Sequence, residues 1–153
     1  MPSRRHFLFG LAGAGAASIA IAALPALAAQ HLPAVTIYKS PSCGCCVKWA
    51  AHLRDHGFQT VLEDRDDLQT IKSARGVPTA LQSCHTAIVG DYTIEGHVPA
   101  RDIELLLTLA PQALGLAVPD MPIGSPGMEM GAEKEPFASY LFTTDGYAVF
   151  AQH

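Results

Sequence analysis

Basic residues are few in this chain and nowhere clustered. Ten Lys+Arg stand against fourteen Asp+Glu in 153 residues. Binding to nucleic-acid phosphates draws on lysine and arginine contacts, so the composition argues against that class of partner. Cysteine is also scarce, and its four positions are crowded: Cys43, Cys45 and Cys46 share one turn, with Cys84 about forty residues further on. Small exported domains stapled by disulfides spread their cysteines along the chain, which this spacing does not do. A second closely spaced cysteine pair is missing as well, and with it the usual pattern of a mononuclear zinc site. No internal repeat is present, and the length suits a single domain.

A long uncharged run occurs only at the start. "MPSRRHFLFGLAGAGAASIAIAALPALAAQ" opens with Arg4 and Arg5, continues without charge from Phe7 to Ala29, and offers Ala26 and Ala28 as an A-x-A cleavage site. It reads as an export signal over residues 1–28, cut near Ala28, followed by one domain over residues 29–153. "SRRHFLF" resembles the twin-arginine signal, whose pathway exports folded proteins. An uncleaved anchor is the alternative, since the run is long enough to cross a bilayer. Without Arg4 and Arg5, eight basic residues face fourteen acidic ones. That balance is compatible with cation handling.

Beyond the signal, "AVTIYKS" (34–40) is a β-branched strand candidate leading into the cysteine turn. "CVKWAAHLRDHG" sets Cys46, Trp49, Ala50 and Leu53 on one helical face, with Gly57 as the stop. "FQTVLED" suits a second strand, and "RDDLQTIKSARG" a short helix with Asp66 or Asp67 as cap, Leu68 and Ile71 inward and Gly76 at the end. "HTAIVGDYTIEG" reads as two strands around Gly90 and Asp91. "PARDIELLLTLA" reads as a helix with Pro99 in its first turn and Ile103, Leu106, Leu107 and Ala110 on its apolar stripe. Residues 111–139, rich in Pro, Gly and Met, read as a long loop. "YLFTTDGYAVFAQH" closes the chain as a hairpin around Asp145 and Gly146.

The expected fold class is therefore α/β. The order β-α-β-α-β-β-α resembles a thioredoxin-like domain, here with a long Pro/Gly/Met loop and a C-terminal β-hairpin. The cysteine turn matches the thioredoxin active-site position, and "RGVPT" (75–79) resembles the loop that carries a cis-proline, which would be Pro78.

Cys43 and Cys46 are spaced C-x-x-C at a helix start, where the dipole stabilises a thiolate, so disulfide exchange is one available chemistry. Cys45 places a third nucleophile between them and invites scrambled bridges. Metal binding is the other available chemistry, because thiolates suit Cu(I), zinc and iron–sulfur clusters. Adjacent side chains at Cys45 and Cys46 are expected to diverge, which favours thiolates bridging several ions over chelation of one. The methionines after the signal, Met121, Met128 and Met130, all fall within ten positions. Thioether sulfur suits Cu(I) and is of little use to zinc, although methionine also fills core gaps. His85 beside Cys84 and His97 in "EGHVP" are further donors. His52 and His56, one helical turn apart, read as a solvated face; His31 and His153 could add only weak surface binding. An iron–sulfur electron carrier is a third reading, one that a brown colour would reveal.

Together, "CGCC", "VPTALQSCHTAIVGDYTIEGHVPA" and "GLAVPDMPIGSPGMEM" resemble the CopG-like family of exported bacterial copper-resistance proteins, formerly a domain of unknown function and distinct from the DNA-binding repressor of the same name. The resemblance spans about residues 33–150. It implies a periplasmic protein holding copper through its C-x-C-C motif, as Cu(I) in a thiolate-bridged multinuclear cluster, with other periplasmic copper-handling proteins as partners. By the same resemblance Cys43, Cys45 and Cys46 are ligands, joined by Cys84, His85, His97, Met121 and Met128. In this picture Gly44 lets the turn bend sharply, Cys46 opens the helix, and the methionine loop closes over the metal. The family carries glycine before the first loop methionine, where this chain has Asp120, and a carboxylate there is expected to alter the turn.

Overall fold

The computed structural model describes residues 32–153. The expected export signal, its cleavage point and His31 lie outside the described residues. Among the described residues, three helices accompany a seven-stranded mixed sheet. The elements are β1 (Val35–Lys39), α1 (Gly44–Asp55), β2 (Thr60–Asp64), α2 (Leu68–Ala74), β3 (His85–Val89), β4 (Tyr92–Gly96), α3 (Ala100–Leu109), β5 (Gly115–Val118), β6 (Ala138–Phe142) and β7 (Tyr147–Gln152), with a 3-10 turn at Thr79–Leu81. No helix among the described residues is long and apolar enough to cross a membrane.

The sheet order is β2-β1-β3-β4-β5-β6-β7. β1 runs parallel to β2 and antiparallel to β3, with Lys39 opposite Asp64 on one side and His85 on the other. β3 and β4 are antiparallel, β4 and β5 parallel, and β5, β6 and β7 successively antiparallel. This topology brings four chain segments to one end of the sheet: the exits of β1, β4 and β5, and the entry to β3. The cysteine turn, His97, the start of the methionine segment and Cys84–His85 are those four segments.

One core cluster joins Trp49, Ala50 and Leu53 of α1, and Ala100, Ile103 and Leu106 of α3, to Val35, Ile37, Ala87, Val89, Ile94, Leu116 and Val118 of the sheet. Cys46, Trp49, Ala50 and Leu53 are all fully buried, as their helical spacing requires. Burying Trp49 alone is worth about 3–5 kcal/mol against alanine. A smaller cluster of Val77, Leu81, Ala117 and Phe142 uses the alternate positions of the strands, so it covers the other face.

Several expectations need correction. β5 lies inside the stretch read as a loop. All four of its residues are buried, so it lacks the alternation that marks a half-exposed strand. Gly115 is obligatory there, because a Cβ would stand 1.7 Å from the Thr93 carbonyl oxygen. Pro78 is trans, since no cis peptide occurs among the described residues. The trans form is the ordinary state of X–Pro bonds, and Pro78 here leads into the 3-10 turn, its carbonyl accepting from Leu81 N–H at 2.9 Å. Pro99 caps α3 from just outside it, and Ala110 is the exposed left-handed C-cap, beyond the buried stripe.

Candidate metal centre

The turn after β1 is held by a buried cation. Lys39 pairs with Asp64 at 2.6 Å and donates to the carbonyls of Ser40 and Pro41 at 3.1 and 3.5 Å. Cys43 follows as the N-cap of α1, and its side chain makes no capping bond. The helix begins at Gly44, not Cys46, so Cys45 and Cys46 both sit in its first turn. Gly44 has no positive φ, and a Cβ there would meet nothing within 4 Å. The turn therefore does not depend on glycine's freedom at that position.

Cys43 and Cys46 are joined as a disulfide, while Cys45 and Cys84 are free thiols. The Cys45 sulfur lies 3.5 Å from that of Cys43 and 3.8 Å from that of Cys84; Cys46 and Cys84 are 3.7 Å apart. All four sulfurs fall within 4.8 Å of one another. Cys45 and Cys46 thus do not diverge as expected: both sulfurs lie near that of Cys84, the residue just before β3.

Cys84 also belongs to a second group with His85 and His97, again within 4.8 Å. Its sulfur is 3.3 Å from His85 Nδ1 and 3.1 Å from His97 Nε2. His97 Nδ1 stands 2.8 Å from the Pro126 carbonyl, which can only accept, so Nδ1 carries the proton and Nε2 turns a lone pair toward Cys84. His85 is fully buried between Trp49, at 4.4 Å between ring centres, and His97, at 5.2 Å. Its Nε2 is buried and has no hydrogen-bond partner among the described residues.

The electrostatics favour neutral imidazoles and a protonated thiol. Burial, the neighbouring His97 and the Lys72 ammonium hold His85 well below the usual histidine range. Burial lowers His97 too, against the Pro126 hydrogen bond and the charge of Glu129. Cys84 is pushed up to about 12 by burial and by the Cys45 sulfur beside it. Neutral imidazoles are the form that binds metal, and a soft cation entering here displaces the thiol proton.

The methionine segment reaches the site through its backbone. Asp120 has φ +59, the left-handed conformation that aspartate tolerates better than most residues, so the turn expected of glycine is kept. Its carbonyl accepts a hydrogen bond from the Ser83 hydroxyl. Met121 follows and is 46% exposed. Met128 is half-buried next to Gly127, and Met130 is exposed. Gly127 packs on the start of α1, where a Cβ would meet Trp49 N at 2.8 Å and the Cys45 carbonyl oxygen at 2.9 Å.

Two histidines outside the centre also differ from expectation. His52 is not on a solvated face: its Nε2 accepts from Ala100 N–H at 3.1 Å and so serves an otherwise unpaired donor of α3. His153 pairs with Asp102 at 2.9 Å and stacks on Phe137.

Sequence reasoning missed the buried Lys72–Glu95 pair, whose carboxylate accepts from Ser83 and Thr86 on either side of Cys84 and His85. Lys72 falls four positions after Leu68 and next to Ile71, on the apolar stripe of α2, and a lysine in a stripe is the available signal.

Comparison with known proteins agrees with the geometry. A family model described as "Protein of unknown function, DUF411" matches residues 81–128, which include Cys84, His85, His97, Met121 and Met128. Two solved structures, "Copper resistance protein copG" forms 1 and 2, are 39% and 38% identical to this chain. Each superposes with a TM-score of 0.76, covering 80% of this chain and 98% of its own. No curated protein matches.

Proposed function

Because the chain belongs to the CopG family of copper resistance proteins, we propose that it binds copper in the periplasm, holding Cu(I) in a thiolate-bridged, multinuclear site. The observation that carries this reading is the sharing of Cys84 between two donor groups, four sulfurs on one side and two imidazoles on the other. Thiolate sulfurs this close together suit soft monovalent ions that share ligands, whereas a single zinc ion would take four donors and leave the rest idle. In the loaded form Cys43 and Cys46 are thiolates, so loading follows two-electron, two-proton reduction of their disulfide by a thiol reductant.

The β2-β1-β3-β4 order, with the cysteine turn opening α1, supports a thioredoxin-like core, and β5 to β7 extend it through a C-terminal hairpin. Residues 1–28 act as the export signal and residues 29–153 as the mature domain, which exchanges copper with other periplasmic copper-handling proteins. Met121 and Met128 offer thioether contacts to copper as it enters or leaves.

Metal analysis of protein isolated from copper-fed cells, with a thiol count, tests the reading. More than one copper per chain and four reduced thiols are expected; copper-free protein sinks it. Cys45→Ser should lower the copper-to-protein ratio, because Cys45 touches both Cys43 and Cys84, and an unchanged ratio argues against a bridged cluster. The Cys43–Cys46 disulfide favours one second reading, a periplasmic thiol–disulfide oxidoreductase using that pair. Insulin reduction by the metal-free chain at rates that survive Cys45→Ser would support it.

A further inference from the structure

Behind the Cys84–His85 dipeptide lies a closed network that no copper ligand belongs to. Glu95, fully buried on β4, accepts from Lys72 Nζ at 2.5 Å and from Ser83 N–H at 2.7 Å through Oε1. Its Oε2 accepts from the Thr86 hydroxyl at 2.6 Å, and Lys72 donates back to the same hydroxyl oxygen at 3.0 Å. Lys72 is 5% exposed. Burying such a pair is costly, and replacing it with well-packed apolar residues is often neutral or stabilising, so stability alone is a weak reason for its presence.

Its placement is more informative. Ser83 and Thr86 are the residues on either side of Cys84 and His85, and one carboxylate grips both. The same carboxylate is two residues from His97, across Gly96, where a Cβ would strike the Val118 carbonyl oxygen at 2.4 Å and the Ser83 Cβ at 2.6 Å. Ser83 in turn holds Asp120, the residue before Met121. Three donor-bearing segments therefore take their positions from one ion pair that touches no sulfur.

We propose that the Lys72–Glu95 pair is the positioning device of the imidazole–thiolate half of the site, fixing Cys84 and His85 from both flanks and setting their distance to His97. This rests on the copper-binding reading above. Groups behind metal ligands commonly change metal affinity or activity 10–100-fold when removed.

The test compares the full chain with a Lys72→Met/Glu95→Gln double variant, both reduced and loaded with Cu(I). The double variant is expected to melt near the wild-type temperature yet lose copper to a competing Cu(I) chelator about tenfold faster or more. Unchanged copper release from a folded variant overturns the proposal. In a Cys84→Ser/His85→Ala background the same substitutions should add no further loss, because both donors they position are gone; an additive loss also overturns it. Should the double variant not fold, Thr86→Val, which leaves the ion pair intact and removes its grip on one flank, is read by the same criteria.

A copper-independent measurement separates this inference from the functional reading. In metal-free Cys45→Ser protein with the Cys43–Cys46 disulfide intact, Cys84 is the one remaining thiol, and its alkylation by iodoacetamide should accelerate when the pair is replaced. Equal alkylation rates refute the positioning role even if the wild-type chain binds copper. Wild-type chain without copper refutes the copper reading even if alkylation accelerates.

Discussion

Two glycines show how differently the same residue type can act within one site. Gly44 sits between the first two cysteines without positive φ and with open space around its Cα. Gly127 has φ +86 and lies against the backbone of Cys45 and Trp49. Gly44→Ala should be tolerated, with a change within about 1 kcal/mol that favours the helix. Gly127→Ala should cost about 1–3 kcal/mol, because both the conformation and the contact resist a side chain. Urea denaturation of the two variants checks the contrast, and equal midpoints would contradict the packing described. Asp120 belongs to the same scale: its left-handed backbone preserves a glycine-type turn although the residue type differs. Which residue would occupy the left-handed region was not legible from "VPDMP", because aspartate is also at home in ordinary turns and at caps.

At the scale of elements, α1 and α3 are joined through His52 as well as through their shared core. His52 accepts from the first N–H of α3, which requires an unprotonated Nε2. Burial lowers His52 from its ordinary 6.5, with His56 adding to the shift, and His85 and His97 shift in the same direction. For groups depressed in the folded state, the unfolded chain takes up protons first. Stability of the metal-free protein is therefore full above about pH 6.5 and falls as pH drops through the lowered folded values. His52→Ala should lose about 1 kcal/mol at neutral pH, for the missing hydrogen bond, and show a shallower decline on acidification. Thermal melts between pH 5 and 8 measure both effects, and a wild-type melting temperature that stays flat over that range would contradict the assignment.

Elements were legible in the sequence in proportion to their periodicity. The Cys46–Trp49–Ala50–Leu53 stripe identified α1, and the Gly90–Asp91 turn separated β3 from β4, as the structure has them. β5 was hidden because a fully buried four-residue strand has no alternation, and proline and glycine on its flanks suggest a loop. The Lys72–Glu95 pair was hidden because an ion pair satisfied in the interior leaves no trace in hydrophobic spacing. The cluster of cysteines was visible, but the meeting of Cys84 with both Cys45 and Cys46 depended on where β3 begins.

For the whole molecule, the sheet order makes the centre a long-range structure. Residues 43–46, 84–85 and 97 meet only when β1, β3 and β4 are paired in register. A ligand that binds only the folded chain stabilises it by mass action, about 2.7 kcal/mol at a hundredfold excess over the dissociation constant. Reduced protein should therefore melt at a higher temperature with Cu(I) than without it. Fluorescence of Trp49, the single tryptophan, should change in the same titration because its ring centre lies 4.4 Å from that of His85. A melting temperature indifferent to Cu(I) would contradict this linkage.

The position of Cys84 has one more consequence. A sulfur that completes two donor sets cannot be vacated for one without disturbing the other, so in the proposed copper-loaded form the halves should fill and empty together. Native mass spectra taken through a titration would then be dominated by bare and saturated chains, with partly filled species scarce at every ratio.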